Sequence, residues 1–421
     1  MPNALTAETR KTVVQNTARL LRENYAFPET AENMAARVQE KLKQGSYDDI
    51  ANVTEFCRAL TADLHVVAQD LHLVVYHHPG EAVELARLEE QADSDEDETL
   101  HWWTQVSADN YGFKRVECLT GNIGYLDLRY FAPVSLGGET AVAAMNFVAH
   151  SDALIFDLRQ NGGGDPFMVQ LVESYLFGGE PKLLLTMYDR PKDKRQQIWT
   201  LPHVPGKRLP DVPVYALTSG STFSGGEDFT YTLKHHGRAT VVGEATGGGG
   251  HTVDFKVVHE GFVICLPTGY PTHPVTGSSW EGTGVEPDIC VPQERALQTA
   301  HVHALETLLT KSQDDAYTRR LEWDLETVQA TYAQLEVEGA TLARYVGQYG
   351  NWIVALKDGA VCMSRQGRRD DWKLTPITET FFVMDEGYKI RFVVAEGGEA
   401  SALVFLGRDD GREVTIPRAS G

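Results

Sequence analysis

Basic residues are scarce in this chain of 421: 38 lysines and arginines stand against 59 aspartates and glutamates, a formal charge of −21. Nucleic acid and anionic membrane both demand a basic surface, so neither is expected as a partner. Long hydrophobic runs are missing too. None approaches the ~18 consecutive apolar residues of a membrane span. The opening stretch MPNALTAETRKTVVQN has no apolar segment of the secretory kind, so a cytoplasmic location is expected, with an exported protein whose leader has been removed as the open alternative. Cysteine is sparse as well. The five (Cys57, Cys118, Cys265, Cys290 and Cys362) are scattered without a CxxC pair, which gives neither a disulfide framework nor a zinc site. Each reads as a small buried hydrophobe. One further absence concerns VVGEATGGGGHTV at 241–253. A phosphate loop needs Lys and Ser/Thr directly after its glycines, and Gly247 to Gly250 are followed by His251, Thr252 and Val253. The phosphate-cradle reading is therefore set aside.

What is present is a globular composition, 42% hydrophobic and 23% charged. The length calls for two domains or one with an appendage. Residues 1–75 read as a helical region: Val13, Val14, Thr17, Leu20 and Leu21 recur at helical spacing, and a second face runs through Ile50, Cys57, Leu60 and Leu64. The acidic run LEEQADSDEDETL at 88–100 reads as a solvated loop. Residues 76–291 are the expected α/β domain. From residue 121, NIGYLDL, ALIFDL, VPVYALTS and ATVVGE alternate with helical stretches, the pattern of βαβ units whose sites form at the carboxyl ends of strands. A helical bridge over 292–336 and a small antiparallel β domain over 337–421 follow, with hairpin turns at Asp358-Gly359, Glu386-Gly387 and Asp410-Gly411.

The chemistry concentrates at strand ends. In TSGSTFSGGEDF, Ser224 sits where a strand hands over to a helix N-terminus, which would expose its oxygen and free the next N–H groups for an oxyanion. Ser224 also fits a helix cap, with Glu227 completing a capping box, and on this stretch alone the cap is the stronger reading. In LIFDLRQNGGGD, Gly162 to Gly164 follow a strand and let an N–H approach a substrate carbonyl, or simply form a tight turn. His72, in DLHLVVYHHP, precedes an apolar run, where a lone histidine is more often structural.

Taken together these stretches resemble the serine peptidase family of the C-terminal processing (tail-specific) proteases, the tricorn core protease and the interphotoreceptor retinoid-binding protein repeats. DLHL, GNIGYLDLRYF, DLRQNGGGD, TFSGGEDF, GRATVVGEATGGG and WEGTGVEPDI carry the resemblance in the family's order, over about residues 70–290. It implies a crotonase/ClpP-like α/β fold and a serine peptidase with no metal and no organic cofactor. The processing branch places a lysine base where this chain has Gly249; the tricorn-like branch uses a histidine and a glutamate, and His72 and Glu281 fill both positions. The resemblance thus implies Ser224 as nucleophile, His72 as base, Glu281 behind it, and the N–H groups of Gly164 and Gly225 as oxyanion hole. Leu71 stands where the tricorn-like pattern has a relaying serine, so Glu281 contacts His72 directly, acts through water, or yields the orienting role to Asp70. Imidazole as base predicts an activity midpoint near ~6.5 unless burial or a carboxylate moves it. The expected partner is a peptide or protein substrate, with homo-oligomerisation left open. A non-catalytic module for an apolar ligand, like the retinoid-binding relatives, and an esterase are the competing readings.

Overall fold

The computed structural model describes residues 5–90, 106–368, 371–394, 398–409 and 411–419. From residue 91 the acidic run lies outside the described residues, as does Asp410 of the last expected turn. Contacts gather the chain into two compact units: Met1–Glu117, Tyr125–His150 and Leu154–Ala296 form one, and Cys118–Gly124, Ser151–Ala153 and Leu297–Gly421 the other.

In the first unit, helices α1 (Ala7–Asn24), α2 (Pro28–Lys43) and α3 (Val53–His65) begin where local chemistry says they should. The Thr6 side chain caps α1 by accepting from Thr9 N–H, Pro28 opens α2, and Asn52 caps α3 through Glu55 N–H. Their apolar stripes, including Val13, Leu21, Met34, Val38, Phe56 and Leu60, share one core with Leu73, Val258, Phe262 and Ile264. Leu73 directly precedes β1, and the other three come from an antiparallel sheet in the order β1-β10-β5-β6, with β9 paired to β10. Its strands are β1 (Val74–His77), β5 (Leu183–Asp189), β6 (Lys194–Trp199), β9 (Thr252–His259) and β10 (Phe262–Thr272). The helical region therefore belongs to the body of the sheet domain.

The second sheet has the order β11-β8-β7-β4-β3-β2, its edge strand β2 spanning Phe113–Leu119. Its centre, β3 (Ile123–Leu128), β4 (Ala153–Asp157) and β7 (Val214–Thr218), is buried at every residue. β4, β7, β8 (Thr240–Gly243) and β11 (Ile289–Cys290) run parallel. Continuous burial is what a parallel sheet covered on both faces requires. Phe156, Leu128 and Val214 pack with Met168, Val172, Phe229 and Leu233 of the crossover helices Pro166–Ser174 and Gly225–His235. No helix among the described residues is long and apolar enough to cross a membrane.

The second unit holds the helix Asp315–Ala333 and two antiparallel sheets, of four and five strands, around Tyr345, Tyr349, Phe382, Ile390 and Phe392. The expected turn at Asp358-Gly359 has positive φ at both residues, 48° and 77°, and joins Lys357 to Ala360 across the hairpin. At the second turn, Asp385 Oδ1 accepts the N–H groups of Gly387 and Tyr388, both at 2.9 Å. Lys389 is fully buried, its ammonium held by Trp323 O at 3.0 Å and Glu326 Oε2 at 2.6 Å.

Candidate active site

Strands β4 and β7 lie side by side, and their carboxyl ends lead into the two polar turns singled out by the sequence. The turns are stitched to each other. Thr222 Oγ1 donates to Leu158 O at 2.7 Å, Ser219 Oγ to Arg159 O at 2.6 Å, and Phe223 N–H to Asn161 O at 2.9 Å. Asn161, fully buried, donates Nδ2–H to Leu128 O and accepts Gly163 N–H, each at 2.9 Å. These contacts hold the Gly162–164 turn against the turn of Ser224.

Ser224 has φ 50° and ψ −117°, a conformation that costs on the order of 1–3 kcal/mol and persists only when its surroundings enforce it. Enforcement is visible in the spacing: a Cβ on Gly163 would stand 2.7 Å from Ser224 Cβ and 3.0 Å from Gly225 N. A Cβ on Gly225 would stand 3.1 Å from Gly164 N. Gly164 has φ 133°, and a Cβ there would overlap the Phe131 carbonyl oxygen. Gly162 N–H is bonded to Arg129 O and Gly163 N–H to Asn161, whereas among the described residues the N–H groups of Gly164 and Gly225 donate to no protein acceptor. Two neighbouring amides beside Ser224 are thus unengaged.

The cap reading of Ser224 is met mainly by main chain. Glu227 and Asp228 N–H both donate to the Ser224 carbonyl, at 2.8 and 2.9 Å, and Ser224 N–H donates to Glu227 Oε2 at 2.9 Å. Glu227 does far more than cap. Its fully buried carboxylate also accepts Thr246 Oγ1–H at 2.5 Å, Gly248 N–H at 2.7 Å and Gly249 N–H at 2.8 Å. Burial raises its pKa, and these hydrogen bonds oppose the rise. Gly250 N–H donates to Glu281 Oε2 at 2.5 Å, and Gly247 N–H to Thr222 O at 3.0 Å. The glycine run is an anion cradle after all, and its anions are the chain's own carboxylates.

His72 lies with its ring 4.7 Å from that of Phe223, the residue before Ser224. No hydrogen bond joins His72 to Ser224 among the described residues, and His72 Nδ1 is buried without a hydrogen-bond partner. Such contacts commonly tighten only when substrate binds. Burial, against the charge of Asp70 and with that of His251, lowers the His72 pKa to about 4. The ordinary midpoint of ~6.5 is therefore corrected downward, because desolvation disfavours the imidazolium.

Among the described residues no hydrogen bond or ion pair joins Glu281 to His72. Its Oε2 accepts from Gly250 and His251 N–H, the latter at 3.2 Å, and stands 3.7 Å from His251 Nδ1. Asp70, the residue to which Glu281 would yield the orienting role, reaches His72 through its main chain: Asp70 Oδ1 accepts His72 main-chain N–H at 3.1 Å, and Oδ2 is bonded to His251 Nδ1 at 2.7 Å. His251 and Asn161 were given no role by the sequence. Each directly flanks a glycine run, which was the available signal. Asp70, His251 and Glu281 are also, among the described residues, a set of donors within 4.8 Å of one another and so within reach of one cation. Those donors are already committed to each other and to main-chain N–H groups.

Residues 122–291 match peptidase family S41, and residues 5–110 match the N-terminal domain of S41 peptidases in eukaryotic IRBP. A carboxy-terminal-processing protease of Bartonella bacilliformis is 27% identical over 179 residues, 41% of this chain and 39% of that protein. The chain thus spans about two fifths of that relative's length. Among solved structures, a putative peptidase of Parabacteroides merdae is 20% identical with a TM-score of 0.48, covering 70% of this chain and 96% of that one. The photosystem II D1 C-terminal processing protease is 14% identical with a TM-score of 0.43, covering 68% and 94%.

Proposed function

We propose that this chain, whose residues 122–291 match peptidase family S41 and whose residues 5–110 match an S41 N-terminal domain, is a serine-type peptidase in which Ser224 is the nucleophile and His72 the base. Ser224 Oγ adds to the scissile carbonyl carbon as His72 takes its proton. The resulting oxyanion is received by the N–H groups of Gly164 and Gly225. His72 then protonates the departing amine, leaving an acyl-enzyme on Ser224, and water activated by the same imidazole releases the acid and restores the hydroxyl. The observation that carries this reading is the pair of unengaged amides held at Ser224, a residue kept in a strained strand-to-helix turn. Glycine at 249 leaves no lysine to serve as an alternative base there.

A fluorophosphonate probe tests it. Adduct formation is expected at Ser224, located by peptide mass spectrometry, and is expected to vanish in Ser224→Ala and to fall steeply in His72→Ala while both remain folded. Labelling at Ser221, or a folded His72→Ala protein that reacts at the wild-type rate, would overturn the assignment. Since the base acts only when unprotonated and its pKa is lowered to about 4, the acid limb of the labelling rate is expected far below the ordinary histidine range.

A further inference from the structure

The two oxygens of buried Asp70 serve different masters. Oδ1 accepts the His72 main-chain N–H at 3.1 Å, while Oδ2 is bonded to His251 Nδ1 at 2.7 Å and accepts the Tyr25 hydroxyl at 3.2 Å. His251 is itself 9% exposed, and Glu281 Oε2 lies 3.7 Å from the same Nδ1. Nδ1 is therefore the donor on this ring, since both neighbours are carboxylates and can only accept. We propose that His251 is a positioning residue: as an imidazolium held between Asp70 and Glu281, it fixes Asp70 and, through it, the segment of main chain that carries the base His72. The proposal rests on the assignment of Ser224 and His72 made above.

Charge balance argues for the protonated ring. A neutral imidazole would leave the charge of Asp70 uncompensated in a poorly solvated place, whereas a cation there offsets it and also faces Glu281, whose own pKa burial raises. Burial works against charge on His251, but the Asp70 hydrogen bond and the charges of Asp70 and Glu281 prevail and raise its pKa. Burial works against Asp70 too, yet the His251 bond and the two histidines hold its pKa below the usual carboxylate range. The groups that face this cluster are Asp70, Glu281, His72, Tyr25 and Cys265, and the last two are pushed toward their neutral forms, chiefly by burial. The ring of Phe27, 5.4 Å away, adds an apolar wall. His251 and His72 are thereby shifted in opposite directions: the first upward, toward the cation, the second downward by burial and by the charge of His251, toward the free base.

The proposal has a signature that a merely structural histidine would lack. Reactivity should rise as His72 loses its proton at low pH and fall again as His251 loses its own above the ordinary histidine range, because Asp70 and Glu281 then repel across a neutral ring. The measurement is the second-order rate of fluorophosphonate labelling of Ser224 against pH, in the full chain, with a denaturation curve for each variant. His251→Ala is expected to label on the order of 100-fold more slowly while folded. His251→Asn, whose amide donates to Asp70 but does not titrate, is expected to recover to within about tenfold of wild type and to lose the alkaline fall. A folded His251→Ala protein with the wild-type rate, or an alkaline fall unchanged in His251→Asn, would overturn the proposal. If His251→Ala does not fold, the His251→Asn profile decides. Wild-type protein unlabelled at Ser224 would instead sink the assignment of the nucleophile, so the two failures are distinct.

Discussion

The glycine runs Gly162 to Gly164 and Gly247 to Gly250 both follow strands of one parallel sheet, yet their amides meet opposite ends. In the first, the last N–H is left without an acceptor beside that of Gly225. In the second, every N–H is taken, by Thr222 O, by Glu227 twice over, and by Glu281. Glycine is required in both because backbone must approach closely, but closeness to what differs. One run leaves a donor unengaged; the other commits its donors to residues of the chain itself. Composition alone does not distinguish them, and only the location of the carboxylates does.

Four substitutions sharpen this contrast. Glu227→Ala should have the largest effect, since it strips the acceptor from three main-chain N–H groups and the Thr246 hydroxyl in a buried place. A loss of stability on the order of 3 kcal/mol or more is expected in chemical denaturation, with Glu227→Gln falling between it and wild type. Gly164→Ala comes next. The new Cβ meets the main-chain oxygen of Phe131 at a φ that side chains avoid, so the free amide must move, and labelling of Ser224 should slow on the order of 100-fold in whatever fraction folds. Gly249→Ala should be milder, because its φ is unexceptional and its Cβ overlaps the movable ring of Phe223. That ring leans on His72, so a tenfold or so slower labelling with a modest drop in denaturation midpoint is expected. Gly162→Ala should be nearly silent: nothing lies within 4 Å of the added carbon, its φ is not positive, and stability should shift by no more than ~0.5 kcal/mol. Silence at Gly249 and damage at Gly162 would reverse the account of the two runs.

Much of this was legible in the chain. Alternating strands and helices announced the parallel sheet, and a serine at a strand-to-helix junction marked the strained turn at Ser224, because both depend on local order. The Asp358-Gly359 hairpin was equally local. The contacts among Asp70, His251 and Glu281 were not. Asp70 and His251 are 181 positions apart, and no periodicity couples a loop after α3 to a turn before β9. Glu227 was read as a capping residue, which it is in part. Its grip on Gly248 and Gly249, 21 and 22 positions on, depends on how the sheet aligns two of its crossovers. The anion cradle was set aside for want of a lysine, a test that looks for an external phosphate and overlooks an internal carboxylate.

The Glu227 carboxylate also has a dynamic consequence. The amide protons of Ser224, Gly248 and Gly249 all end on the same two oxygens, so none can be released to solvent without disturbing the anchor of the others. In hydrogen–deuterium exchange these three should behave as one cooperative unit, opening together and slowly despite lying in turns, where exchange is ordinarily fast. A peptide map would then display a protected centre in the glycine loop, tethered by a single side chain to the first turn of the helix behind Ser224.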